Sequence, residues 1–216
     1  MSRKTQKSKP KWRRRAEARP DEVLDAALDL FIRHGFAATR VEDITRAAGL
    51  SKGAVYLYFD SKVAILEALV RRSIIPVAQH AEQMAKTHRD DPKLALTLMI
   101  NTVAQRMSDP KVSAIPRLII AEAGNFPELV KMYREEVIDR AFSALETLIR
   151  TGIEMKIFRS VNPQLAVRNI VGPMLVHILF ASVFGVKGNE YDDPREFIKS
   201  HLDILFNGLA ESGVAS

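Results

Sequence analysis

Residues 39–62 read TRVEDITRAAGLSKGAVYLYFDSK and hold the side chains best suited to contacting a polyanion. Ser51, Lys52, Tyr56 and Tyr58 fall in one short stretch, where hydroxyls can donate to phosphate oxygens and the lysine can neutralise a phosphate charge. Gly53 and Ala54 lie among them without bulk, so the backbone there can come close to a nucleic-acid surface. Nothing comparable supports catalysis. His34, His80, His88, His177 and His201 are scattered, with no pair four residues apart beside an acid, so no metal site is expected. The chain has no cysteine, which removes thiolate metal sites, thiol nucleophiles and disulfides. A phosphate-cradling glycine loop and a nucleophile elbow are also missing from the sequence, so neither a catalytic residue nor a cofactor is expected.

Positioning the polar cluster calls for a helix, a turn and a second short helix. Thr39 and Glu42 have the spacing of a capping box, and Gly49 stops the helix that they open. Ser51 is expected to cap the next helix, running to about Phe59, and Ser61 the one after it. Ile44, Ala47, Leu50, Val55 and Phe59 would form the small core that fixes the crossing angle of this helix-turn-helix. Upstream, Pro20 is placed to open a helix whose Leu24, Ala27, Leu28 and Phe31 share one face, ended by Gly35. Downstream, Leu66, Leu69, Val70, Ile74 and Val77 form one face of a fourth helix that Pro76 should bend. Further helical patterns occupy about 92–108, 113–124, 127–151, 163–185 and 194–212, with Asn162-Pro163 and Asp193-Pro194 as starts. No sustained period-2 alternation interrupts them. The expected class is all-α, with about nine helices.

With 216 residues, 47% hydrophobic and 27% charged, the composition suits one globular domain or two small ones. The net charge of +6 is unevenly placed. Residues 1–19 hold nine basic side chains against one acid, Glu17, giving +8, whereas the other 197 residues hold 23 basic and 25 acidic groups. Such a flexible basic arm either binds nucleic acid or another anionic surface, or is a solvated leader. Residues 20–62 carry five basic and seven acidic groups, so this module is no polycation and needs hydrogen bonds to phosphate. The Met1 end is charged, with no signal-peptide core, and together with the missing cysteines this favours a cytoplasmic protein.

GLSKGAVYLYFDSK, with the upstream ALDLFIRHGFAATRVEDIT, resembles the tetracycline-repressor (TetR) family of bacterial transcription regulators over about residues 20–77. That resemblance implies a three-helix DNA-binding domain over 20–65 and a larger helical effector-binding and dimerisation domain over 66–216. It further implies that Thr39 and Arg40 meet backbone phosphate, that Ser51, Lys52, Gly53 and Ala54 enter the major groove, that Tyr56 and Tyr58 touch phosphate or base edges, and that Lys62 clamps phosphate. Tyr58 stands where a histidine is common in the family, and Val63 where a glutamate is usual. The implied partners are a palindromic double-stranded operator, a second copy of the chain, and a small apolar or amphipathic effector that releases a repressor.

The remainder of the chain would house that effector. Met99, Val103, Met107, Ile119, Phe126, Tyr133, Val137, Phe142, Met174 and His177 are candidate lining, although such residues at helical spacing also serve as plain core. The uncharged stretch 169–186, NIVGPMLVHILFASVFGV, is long enough to rival a membrane span, but Asn169, Gly172, Pro173, His177, Ser182 and Gly185 interrupt it. No membrane is expected. The resemblance implies instead that the last two helices pair with their symmetry mates as a four-helix bundle. Val171, Leu175, Ile178, Leu179, Ile198, Leu202, Leu205 and Leu209 are the expected interface.

Overall fold

The computed structural model describes residues 11–182 and 193–209, and every regular element among them is helical. The chain forms two compact units, residues 1–69 and 70–216, whose boundary falls inside the fourth helix and four residues beyond the expected one. The first unit holds α1 (Lys11–His34), α2 (Val41–Ala47), α3 (Lys52–Tyr56) and the first part of α4 (Lys62–Ser73).

Helix α1 starts earlier than expected. It runs from Lys11, so Pro20 lies inside it and residues 11–19 are helical, not part of a flexible arm. RRRAEAR is rich in good helix formers, and the proline forfeits a single N–H bond that the turns around it tolerate. The first ten residues lie outside the described residues. Val23, Leu24, Ala27, Leu28 and Phe31 are buried along one face, and Phe31 meets Phe36 with ring centroids 5.0 Å apart. Gly35 closes α1 in the left-handed region (φ 82°), its N–H donating to Phe31 O at 3.0 Å.

The second unit contains α5 (Ile75–Thr87), α6 (Pro92–Met107), α7 (Pro110–Glu122), α8 (Pro127–Tyr133), α9 (Asp139–Glu154), α10 (Pro163–Ser182) and α11 (Pro194–Leu209). A π-turn, Arg134–Ile138, joins α8 to α9. The expected count treats two interrupted runs as single helices. One break is at Ile74, where a single bent helix is replaced by α4 and α5, with Pro76 in the first turn of α5 where its missing N–H has no partner to lose. The other break is the π-turn. Helix α7 begins at Pro110, three residues before the expected start, because Asp109 accepts the N–H of Lys111 at 2.8 Å and Pro110 takes the first helical position. The Asn162 start appears as expected, its Oδ1 accepting the Leu165 N–H at 3.2 Å. Asp193 likewise accepts from Arg195 N–H at 2.8 Å.

The core of this unit is made by Leu96, Met99 and Ile100 of α6, Leu148 and Ile149 of α9, and Val167 and Ile170 of α10, with Phe158 between the last two helices. Burying each of the larger aliphatic side chains contributes about 1.5–3 kcal/mol. Phe158 lies so close over Gly152 that a Cβ there would collide with its ring. No helix among the described residues is long and apolar enough to cross a membrane. The end of the uncharged stretch, residues 183–186, lies outside the described residues.

Candidate nucleic-acid interface and effector cavity

The reading surface is built by local hydrogen bonds. Gly49 takes φ 66°, and the following Leu50 N–H donates to Thr45 O at 2.9 Å, which folds the chain back between α2 and α3. Ser51 then caps α3, its Oγ accepting the Ala54 N–H at 3.2 Å. Ile44, Val55 and Phe59 are buried as expected of the small core, and Leu50 is half-buried. Ala47 is not core: it is exposed on the outer side of α2 beside Asp43 and Arg46. Helix α3 stops at Tyr56 and not near Phe59, because the Tyr58 and Phe59 N–H groups both turn back to Val55 O at 3.0 Å.

Arg40, Ser51, Lys52, Gly53, Tyr56 and Tyr58 are exposed around this turn, with Ala54 half-buried. Leu57 is 82% exposed between the two tyrosines. Lys52 is engaged: its ammonium donates to Glu42 Oε1 at 2.6 Å and lies 5.9 Å from the Tyr56 ring centroid. That hydrogen bond holds the Glu42 carboxyl below its ordinary value and pushes the Lys52 ammonium up.

Two assigned phosphate contacts point elsewhere. Thr39 is buried, and its hydroxyl donates to Gly35 O at 2.7 Å, so it holds the end of α1 and is not presented outward. The expected Thr39–Glu42 box is therefore shifted by one residue, with the Arg40 N–H donating to Asp43 Oδ2 at 3.3 Å. The Lys62 ammonium donates to Phe36 O at 2.6 Å, Thr39 O at 2.8 Å and Ala37 O at 3.2 Å, and sits 4.4 Å from the Phe36 ring centroid. A lysine has three donors, and all three are directed at the corner between α1 and α2.

The second unit holds an open cavity of about 210 Å³ walled by α5, α6, α7, the end of α8, the π-turn, α9 and α10. Met99, Val103, Met107, Tyr133, Val137, Phe142 and Met174 are on its wall. Three expected lining residues are not. Ile119 is buried on another face of α7, whose Pro116, Arg117 and Ile120 supply the wall instead. Phe126 precedes α8, and His177 stacks on Phe197 at 4.2 Å between centroids. Burial pushes the Tyr133 phenol up to about 12. Tyr133 adjoins the π-turn, whose Val137 and Ile138 also face the cavity while Glu136 pairs with Arg71 of α4 at 3.2 Å. Such π-turns often mark functional segments of a helix.

The expected dimer residues divide differently. Val171, Leu175, Ile178 and Leu179 line the cavity, at a spacing that puts them with Met174 on one stripe of α10. From Asn169 onward that helix carries no charge, so hydrophobic periodicity alone left its rotation without a reference. Ile198 is buried in the chain's own core, Leu202 and Leu205 pack against it, and the Leu209 side chain lies outside the described residues. The outward apolar side chains are Leu165, Val176, Phe180 and Ile204, between 48% and 70% exposed. Leu165, Pro173, Ile204 and Leu205 also line a groove between α10 and α11. Among the described residues no cluster of acids and histidines is arranged to hold a metal.

A helix-turn-helix unit joined to an all-helical unit with an apolar cavity defines a class, and comparison with known proteins gives the family. The family model "Bacterial regulatory proteins, tetR family" matches residues 23–69, and "AefR-like transcriptional repressor, C-terminal domain" matches residues 94–205. The chain belongs to the TetR family and is a DNA-binding transcriptional regulator. It is 25% identical over 194 residues to the HTH-type transcriptional regulator YvaF of Bacillus subtilis, covering 87% of this chain and 93% of that one. It is 34% identical over 142 residues to the HTH-type transcriptional regulator SrpR of Pseudomonas putida, covering 64% and 62%. Among solved structures, the SmeT–triclosan complex superposes with a TM-score of 0.77 at 26% identity, covering 92% of this chain and 95% of that one. SmeT is the repressor of the Stenotrophomonas maltophilia multidrug efflux pump SmeDEF.

Proposed function

We propose that the chain is a cytoplasmic, ligand-responsive repressor that binds a palindromic operator as a homodimer and leaves it when a small apolar or amphipathic molecule fills the cavity. The observation that carries this reading is the Arg71–Glu136 ion pair. It ties the cavity wall to the C-terminal end of α4, a helix whose N-terminal Lys62 holds the α1–α2 corner of the reading unit. A ligand that displaces the π-turn thereby bears on α4. Two recognition helices in successive major grooves are about 34–36 Å apart, so a small change in their separation penalises simultaneous docking. A coupling of about 1–3 kcal/mol suffices for a switch.

The exposed apolar side chains of α10 and α11 support pairing with a second copy, since patches of this kind mark interaction surfaces. The triclosan bound by SmeT supports an apolar effector. The test is to select genomic fragments with the purified full chain and challenge the complexes with candidate small molecules. A palindromic consensus released by a cavity ligand is the expected result. Retention of no DNA, or release that cavity-filling substitutions such as Met99→Trp leave unchanged, overturns the reading.

A further inference from the structure

Leu57 is the apolar exception on the reading surface. Every other exposed side chain of residues 51–58 ends in a hydroxyl or an ammonium. Val55 and Phe59, on either side of it in sequence, are buried, and a helical step of about 100° per residue turns the side chain midway between them to the opposite, outward face. The backbone there is fixed. The Leu57 N–H donates to Gly53 O at 3.2 Å, and the Tyr58 and Phe59 N–H groups both return to Val55 O at 3.0 Å. Single exposed leucines are ordinary on protein surfaces. Among the described residues, however, no other large apolar side chain is as exposed as this one, and it stands between Tyr56 and Tyr58 just after α3.

A leucine has no donor or acceptor to offer a phosphate oxygen or a polar base edge. The apolar group that a base pair presents in the major groove is the C5 methyl of thymine, and a cytosine in its place shows a bare ring edge and an amino donor. Contact between leucine and that methyl takes both out of water. We propose that Leu57 is a specificity-determining residue that reads one thymine in each operator half-site through its C5 methyl. This rests on the reading of residues 51–58 as the DNA-contacting turn, to which it adds an apolar reader beside the polar ones. 5-Methylcytosine carries the same methyl, so synthetic operator without methylated cytosine leaves thymine as its only source.

The operator recovered with the purified full chain is resynthesised with each thymine replaced in turn by deoxyuridine, symmetrically in both half-sites. The exchange deletes the methyl and keeps every hydrogen-bonding group. Anisotropy titrations then give affinities for the native chain, Leu57→Ala and Leu57→Met. At one position the native chain is expected to bind about fifteenfold more weakly, about fourfold per half-site, the factor for one buried methyl-sized group. Leu57→Ala should bind the thymine operator correspondingly less well and lose less than about twofold to deoxyuridine at that position, whereas Leu57→Met, still long and apolar, should keep most of the discrimination. 5-Bromodeoxyuridine, whose bromine fills the space of the methyl, should restore native binding. Thermal melts establish that both variants are folded, and the deoxyuridine scan of the unaltered chain needs no variant. If no thymine methyl matters, or the one that does matters equally to Leu57→Ala, the assignment of Leu57 falls while the turn stands. If Lys52→Ala as well as Leu57→Ala leaves operator binding unchanged, the assignment and the reading of the turn both fall.

Discussion

At the scale of single residues, the two lysines that sequence reasoning paired as phosphate contacts have opposite situations. Lys52 is held by one exposed carboxylate, which competes with DNA for it. Glu42→Gln should therefore tighten operator binding, and Lys52→Ala should weaken it and reduce the salt slope by about one. Titrations over a salt series check both, and a Glu42→Gln protein that binds less well would refute the competition. Lys62 is committed to three carbonyls, so Lys62→Met should lower stability by about 1–3 kcal/mol. Chemical denaturation measures this; unchanged stability with lost DNA binding would return Lys62 to the phosphate backbone. Ser51 and Gly49 were readable in the sequence because a cap and a left-handed turn are local requirements. The partners of Thr39 and Lys62 were not. Phe36 reaches Lys62, 26 residues on, only once the helices have packed, and Thr39 turns back to Gly35 and not forward to cap α2.

At the scale of elements, periodicity located the helical runs, and its blind spots were their interruptions. A proline after an apolar run signals a bend or a new start with equal force, so Pro76 could not reveal that Ile74 ends α4. The π-turn leaves no sequence mark, because an extra residue in a helical turn merely rotates the pattern after it. Both interruptions border the cavity through Ile74, Val77, Val137 and Ile138. Pro76→Ala returns an N–H donor at the α4–α5 joint and favours one continuous helix. Effector-driven release of operator should be blunted, with ligand-free affinity changed by less than about twofold, a difference too small to exceed roughly 0.4 kcal/mol. Anisotropy titrations with and without effector measure the two; a large loss of ligand-free affinity with normal release would show that the joint serves the reading unit alone.

For the molecule as a whole, the last two helices bring together His177, Phe197 and His201 in a stack, the second pair 6.0 Å apart. The His201 Nε2 lies 3.0 Å from Ile170 O, and burial lowers the ring's pKa, opposed in part by that hydrogen bond. The folded chain thus favours neutral His201, while the unfolded chain binds the proton at about pH 6.5. Stability from this residue is complete above that pH and is lost as acidification proceeds toward the lower folded value. Melting temperatures between pH 7.5 and 5.0 should fall more steeply for the native chain than for His201→Gln; parallel curves would exclude the residue as the source.

Leu165, Val176, Phe180 and Ile204 have a consequence at the scale of the cell. If these side chains are covered only when two chains meet, the concentration of pairs follows the square of the chain's concentration while most copies are single, and so does occupancy of a sparsely filled twofold-symmetric target. A twofold fall in the chain's concentration would then lower target occupancy up to about fourfold, without any metabolite being sensed.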